Sequence, residues 1–158
     1  MSFTHPTGTR GAKQPGRLYR WMNRLLLRRA RRTEATTMGM NLLVLTTIGR
    51  KSGQARPTPL AWFADPAGGW IVVASAGGAA ANPAWYLNLA AHPDEVTVEQ
   101  GGRTAAVTAE ELHGAEREEA WRRITDEAAN FRRYETTTDR EIPVIRLTPK
   151  PHSTPPGS

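Results

Sequence analysis

The chemistry-bearing residues fall in two clusters. In Thr46-Thr47-Ile48-Gly49-Arg50-Lys51-Ser52-Gly53-Gln54-Ala55-Arg56, a β-branched run ends in a Gly-flanked turn with three cations and a hydroxyl within seven residues. Successive backbone N–H groups in such a turn can form a nest for an oxyanion. Glycines let a ligand approach the main chain, and Arg and Lys neutralise its charge. The chemistry implied is binding of phosphate or carboxylate. An ordinary basic hairpin loop on a solvated face would have the same composition. The spacing is not that of a Walker loop.

The second cluster is Ala74-Ser75-Ala76-Gly77-Gly78 followed by Asn82-Pro83-Ala84-Trp85-Tyr86-Leu87-Asn88. A strand end delivers a hydroxyl beside a Gly pair, and a helix N-terminus follows, offering unpaired N–H groups to anionic or carbonyl oxygens. Asn82 is read as the cap and Pro83 as the first helical position. Trp85 and Leu89, four apart, read as core; Ser75 and Asn88 are the ligand groups this cluster predicts.

The elements around them are strands. Leu42–Ile48 is an apolar run closed by Gly49. Pro57–Phe63 follows a Ser-Gly turn, and its prolines confine it to an edge or a strand start. Trp70–Ser75 follows the turn Asp65–Gly69, and Glu95–Gln100 joins Arg103–Leu112 through Gly101-Gly102. A helix over Ala84–Ala91 ends before Pro93, a longer one is predicted over Ala115–Tyr134, and Val144–Leu147 is the last strand. Short antiparallel strands with two inserted helices predict an α+β fold, a small closed or partly open barrel. No strand leads into Gly-x-Gly-x-x-Gly, so the usual nicotinamide motif is absent.

At 158 residues the chain suits one barrel domain, over 41–149, with terminal arms. It has no cysteine, hence no disulfide, thiolate metal site or cysteine nucleophile, and its four histidines lack metal-ligand spacing. The net charge of +6 divides unevenly. Residues 1–33 hold nine basic residues and no acid, and the rest holds 12 basic and 15 acidic residues. The body is therefore acidic and the arm basic. Residues 1–16 and the tail 150–158 read as disordered.

Over 17–33, Leu18, Trp21, Met22, Leu25 and Leu26 share one helical arc, and Arg17, Arg20, Arg24, Arg28 and Arg31 the other. Such a helix fits either the surface of an anionic membrane or the outside of the barrel. No nucleic-acid motif accompanies its charge, and no run has the length of a membrane span. Cytoplasmic residence, at the inner membrane face if the helix binds lipid, is the expectation.

The set Gly49-Arg50-Lys51-Ser52-Gly53, Arg56, Pro59-Leu60, Ala74-Ser75-x-Gly77-Gly78, Asn82-Pro83-x-Trp85-Tyr86-Leu87-Asn88 and Thr138-Asp139-Arg140-x-Ile142-Pro143 resembles the deazaflavin-dependent nitroreductase family over about Leu42 to Pro149. These are split-barrel oxidoreductases of the FMN-binding type that use coenzyme F420. The resemblance implies hydride transfer to a hydrophobic acceptor, a quinone or a nitro compound. It implies a cofactor tail at Arg50, Lys51, Ser52 and Arg56, and a groove lined by Pro57, Thr58, Pro59, Leu60, Ala61, Val73, Ala74, Ser75, Ala76, Ala84, Trp85, Tyr86, Leu87 and Asn88. Ser75 or Tyr134 would donate a hydrogen bond or proton to the acceptor. Some relatives carry several tyrosines near Ala128–Tyr134; only Tyr134 stands here, which argues against nitro compounds as the main acceptor. A storage protein with little turnover, or an FMN-using relative, are the alternatives. Three cations favour the more anionic deazaflavin.

Overall fold

Leu42, Leu43, Val44 and Leu45 are all buried, at 4, 0, 0 and 0% exposure, so this strand must be covered on both faces. The computed structural model, which describes residues 3–11, 24–25, 27–28, 36–37, 40–75 and 81–151, shows how. Eight antiparallel strands run β1 (Thr36–Thr37), β2 (Met40–Ile48), β3 (Ala55–Ala61), β4 (Phe63–Ala64), β5 (Trp70–Val73), β6 (Val96–Gln100), β7 (Arg103–Glu111) and β8 (Val144–Pro149). The helices described over their full length are α1 (Ala84–Ala91), α2 (Gly114–Glu127) and α3 (Ala129–Thr137).

The main sheet is ordered β3-β2-β6-β7-β8-β5-β4, with β1 a short ribbon on β2. Its outermost strands, β3 and β4, are consecutive in sequence and joined by Trp62, so the sheet curls back on itself as a half-barrel. Pro57 and Pro59 are tolerated because β3 pairs on one side only, with β2.

Leu43 and Leu45 face the barrel interior with Trp70, Val72, Val96, Val98 and Val107, and α1 plugs that interior with Trp85, Tyr86 and Leu89. The alternate residues Ile71, Val73 and Val144 face outward under Ala120, Trp121, Ile124 and Phe131 of α2 and α3. The predicted single helix is two. At Ala128 the backbone leaves helical geometry (φ −136°, ψ 90°), and this turn seats Phe131 edge-on to Phe63 with ring centroids 5.7 Å apart. Of the expected basic helix, Arg24, Leu25, Leu27 and Arg28 are described and helical. Leu27 packs on Leu42 and Val44, whereas Leu25 is exposed. The rest of that segment and residues 152–158 lie outside the described residues.

The expected disordered arm differs over residues 3–11, which form an irregular strap fastened to the body. Thr4 Oγ1 donates to Glu111 Oε2 at 2.7 Å, and His5 N donates to the Tyr86 hydroxyl at 3.0 Å. Pro6 O accepts from Asn82 Nδ2 at 2.6 Å. Thr9 Oγ1 (2.6 Å), Thr9 N (2.8 Å) and Arg10 N (3.0 Å) converge on the Asp139 carboxylate. All of these partners are remote in sequence, so local composition carries no sign of them.

The Thr9 hydroxyl, with the Arg10 and Thr9 amides, lowers the Asp139 carboxyl from 3.8 to about 2. A depressed folded value means the clasp contributes stability above the ordinary carboxylate range and loses it as pH falls through the folded value. The Thr9 amide resonance is expected to titrate with a midpoint near 2. A midpoint at the unperturbed carboxylate value would show that the strap is not clasped.

Candidate functional site

The β2–β3 connection is the predicted cationic turn. Gly49 N donates to Gln54 O and Gly53 N to Gly49 O, each at 2.8 Å. Gly53 sits at φ +71°, a left-handed backbone that glycine adopts without strain. A Cβ on Gly49 would lie 2.5 Å from Ser52 Oγ, because that hydroxyl folds back over it. Ser52 Oγ accepts from Gln54 N at 3.2 Å and from Arg56 Nη2 at 3.5 Å. One hydroxyl thus ties the turn to the guanidinium at its exit.

Asn88 fastens the turn to α1. Its Oδ1 accepts from Arg50 N at 3.1 Å, and its Nδ2 donates to Thr47 Oγ1 at 3.2 Å. It is buried, and this hydrogen bonding makes it a staple between the cationic turn and α1.

Between turn and helix lies a cleft of about 370 Å³ lined by Gly49, Arg50, Lys51, Ser52, Arg56, Pro57, Thr58, Ala84, Trp85 and Asn88. Nine of the predicted cofactor-binding residues meet there. Three cations, one hydroxyl pair and the first turn of α1 face it, and no carboxylate is among the lining residues. Such a cleft favours an elongated anion.

The other predicted residues are placed elsewhere. Pro59 and Ala61 lie half-buried further along β3, and Leu60 and Leu87 pack against the interior core. Val73 belongs to the outer core and Ala74 to the inner one. Tyr86 is fully buried beneath the strap, its hydroxyl donating to Glu111 Oε1, so it faces away from the solvent that a ligand must come from. Consecutive residues of a helix point about 100° apart, which separates Tyr86 from Trp85. Tyr134 is half-buried on α3, edge-on to Phe131 at 5.5 Å, and does not line the cleft. Ser75 is half-buried and also outside the lining. Ala76 lies outside the described residues.

Asn82 does not cap α1. Pro83 occupies the cap position and no side chain caps the helix. The Asn82 carboxamide is instead drawn to Arg140, whose Nη1 donates to Asn82 Oδ1 at 2.6 Å. Arg140 is 3% exposed, and burial presses its pKa below the ordinary value. Neither this guanidinium nor Glu111 was assigned a role from sequence. The only sign of Arg140 was its place in Thr138-Asp139-Arg140-x-Ile142-Pro143.

Residues 19–149 match the family described as F420H(2)-dependent quinone reductase. An F420H(2)-dependent quinone reductase of Mycobacterium tuberculosis (strain ATCC 25618 / H37Rv) is 37% identical over 109 residues, 67% of this chain and 72% of its own. A second protein of that strain, named as a candidate for the same activity, is 40% identical over 108 residues, 68% of this chain and 89% of its own. The solved structure of an F420-H2 dependent reductase (FDR-A) superposes with a TM-score of 0.61 at 38% identity, covering 67% of this chain and 92% of that one.

Proposed function

The chain belongs to the F420H(2)-dependent quinone reductase family, and from that premise we propose that it reduces a hydrophobic quinone with reduced coenzyme F420, whose anionic tail lies along the 49–58 turn. The observation that carries this reading is the cleft's donor set: Arg50, Lys51, Arg56, the Ser52 and Thr58 hydroxyls and the start of α1, with no opposing carboxylate. This suits a phosphate and a run of carboxylates better than FMN, which ends at a single phosphate. When bound, the deazaflavin supplies the hydride that reduces the acceptor.

The chain's own residues bind and orient. Arg50, Lys51 and Arg56 neutralise the tail, and Asn88 keeps the turn at its distance from α1. Trp85 and Pro57 give the cleft apolar walls that reduce water contact with whatever lies between them. Of the two candidate donors to the acceptor oxygen we retain Ser75, at the strand end beside the entry to α1, because Tyr134 is packed into the outer core. The exposed Arg24, Leu25 and Arg28, beside a Leu27 that rests on the barrel, support a peripheral contact with an anionic membrane, where hydrophobic quinones reside. Among the described residues no helix is long and apolar enough to cross a membrane.

The test is a titration of the purified protein with F420, followed by oxidation of F420H2 by a soluble quinone monitored through the deazaflavin's visible absorbance. Saturable binding and quinone-dependent oxidation are expected. Binding with no turnover on any quinone would favour the storage reading, and absence of both would overturn the proposal.

A further inference from the structure

One buried guanidinium joins stretches of chain that are distant from it in sequence. Arg140 Nη1 donates to Ala74 O at 3.0 Å and to Asn82 Oδ1 at 2.6 Å, and Nη2 donates to Ser75 O at 2.8 Å. The backbone around it is braced in turn. Arg140 N donates to Thr138 Oγ1 at 3.1 Å, and Ala74 N donates to Pro143 O at 3.0 Å. Asn82, 8% exposed, passes the connection on through Nδ2 to Pro6 O of the strap. The planar fork of a guanidinium can serve several acceptors in fixed directions, which an ammonium cannot.

The consequence for the cleft comes through α1. Asn82 and Pro83 lead directly into Ala84 and Trp85, which form one wall of the cleft, and one turn later Asn88 holds Arg50 of the opposite wall. No side chain caps this helix, so the entry to its first turn is held by the partners of Asn82, while Trp85 and Tyr86 pack into the core beyond it. We propose that Arg140 is a positioning residue for the cofactor cleft: by fastening Asn82 to the end of β5 it sets where Ala84 and Trp85 stand relative to the cationic turn. This rests on the reading of that cleft as the F420 site. Arg140 acts through Asn82 and the carbonyls of Ala74 and Ser75 and touches no ligand itself.

The experiment compares wild type, Arg140→Lys, Arg140→Met and Asn82→Ala in the full-length protein, at a temperature where circular dichroism shows each folded. Three quantities are read: amide exchange at Ala84–Asn88 without ligand, Kd for oxidised F420, and kcat with KM for F420H2 on a soluble quinone. Exchange at the first turn of α1 is expected to accelerate in Arg140→Met and Asn82→Ala. Misplacing one wall of the cleft raises Kd and KM about tenfold or more. Arg140→Lys recovers part of the loss, and added guanidinium recovers part of it for Arg140→Met but not for Asn82→Ala. The Arg140 and Asn82 effects on Kd are non-additive, as for members of one network. If Arg140→Met does not fold, Asn82→Ala carries the same readouts. Unaltered exchange at Ala84–Asn88, or unaltered Kd and KM with only a lower Tm, overturns the proposal. A wild type that does not bind F420, with exchange changing as expected, would instead refute the identity of the ligand.

Discussion

Replacing Lys51 and Arg56 together by alanine is expected to raise the Kd for F420 about 30-fold at low salt, on the basis of roughly 1 kcal/mol for each solvated charge contact. Both side chains are exposed and line the cleft, and Arg56 also holds the Ser52 hydroxyl. The folded state should be almost untouched, because neither residue is in the core. The loss should shrink as salt rises, since the screening length falls from about 10 Å at 0.1 M to about 3 Å at 1 M. Arg122→Ala, an exposed cation on α2 outside the cleft, serves as the control and leaves Kd as it was. Isothermal titration at several ionic strengths decides it. A Kd unmoved by the double substitution, or a loss indifferent to salt, would place the tail elsewhere.

Glu111→Ala is expected to lower the unfolding free energy by about 2–4 kcal/mol, because it strips a buried hydroxyl of its acceptor. Glu111 is 5% exposed and accepts from the Tyr86 hydroxyl, from Thr4 Oγ1 at 2.7 Å and from Thr4 N at 3.4 Å. Without the carboxylate, the Tyr86 hydroxyl keeps the bond it accepts from His5 N but loses the one it donates. Tyr86→Phe combined with Glu111→Leu should recover much of the stability, since removing both polar partners leaves neither orphaned.

Burial, reinforced by the hydrogen bond and the charge of Glu111, pushes the Tyr86 phenol well above its ordinary 10.0. The folded state therefore retains a proton that the unfolded state gives up. Stability is complete below the ordinary phenol value and declines as pH rises beyond it. Urea titrations of wild type and the two variants across pH 7 to 11 test both claims. A Glu111→Ala protein as stable as wild type would mean that the buried cluster contributes nothing.

Much of this was legible from local punctuation. The helix spans Ala84–Ala91 as expected and stops before Pro93, although Pro83 rather than Asn82 holds its cap position, and the cationic turn sits where Gly49 and Gly53 mark it. Other features depend on partners that no window along the chain contains. Asn82 has the residue type of a cap, yet Arg140, 58 positions away, claims its carboxamide. Trp85 and Tyr86 are equally aromatic neighbours on an eight-residue helix that is apolar nearly all round, so nothing local tells which faces the cleft and which faces Glu111. The break at Ala128 follows from seating Phe131 against Phe63 across the sheet, not from any helix-breaking residue.

The strap carries a practical lesson for anyone dissecting the basic segment. Residues 3–11 are spliced ahead of the arginine-rich stretch and clip onto Glu111, Tyr86, Asn82 and Asp139. A shortened protein beginning at residue 34 would discard this buckle along with the arginines, and any fault in it would be blamed on lost lipid contact. Charge-neutralising the arginines in place, with the first eleven residues kept, separates the two.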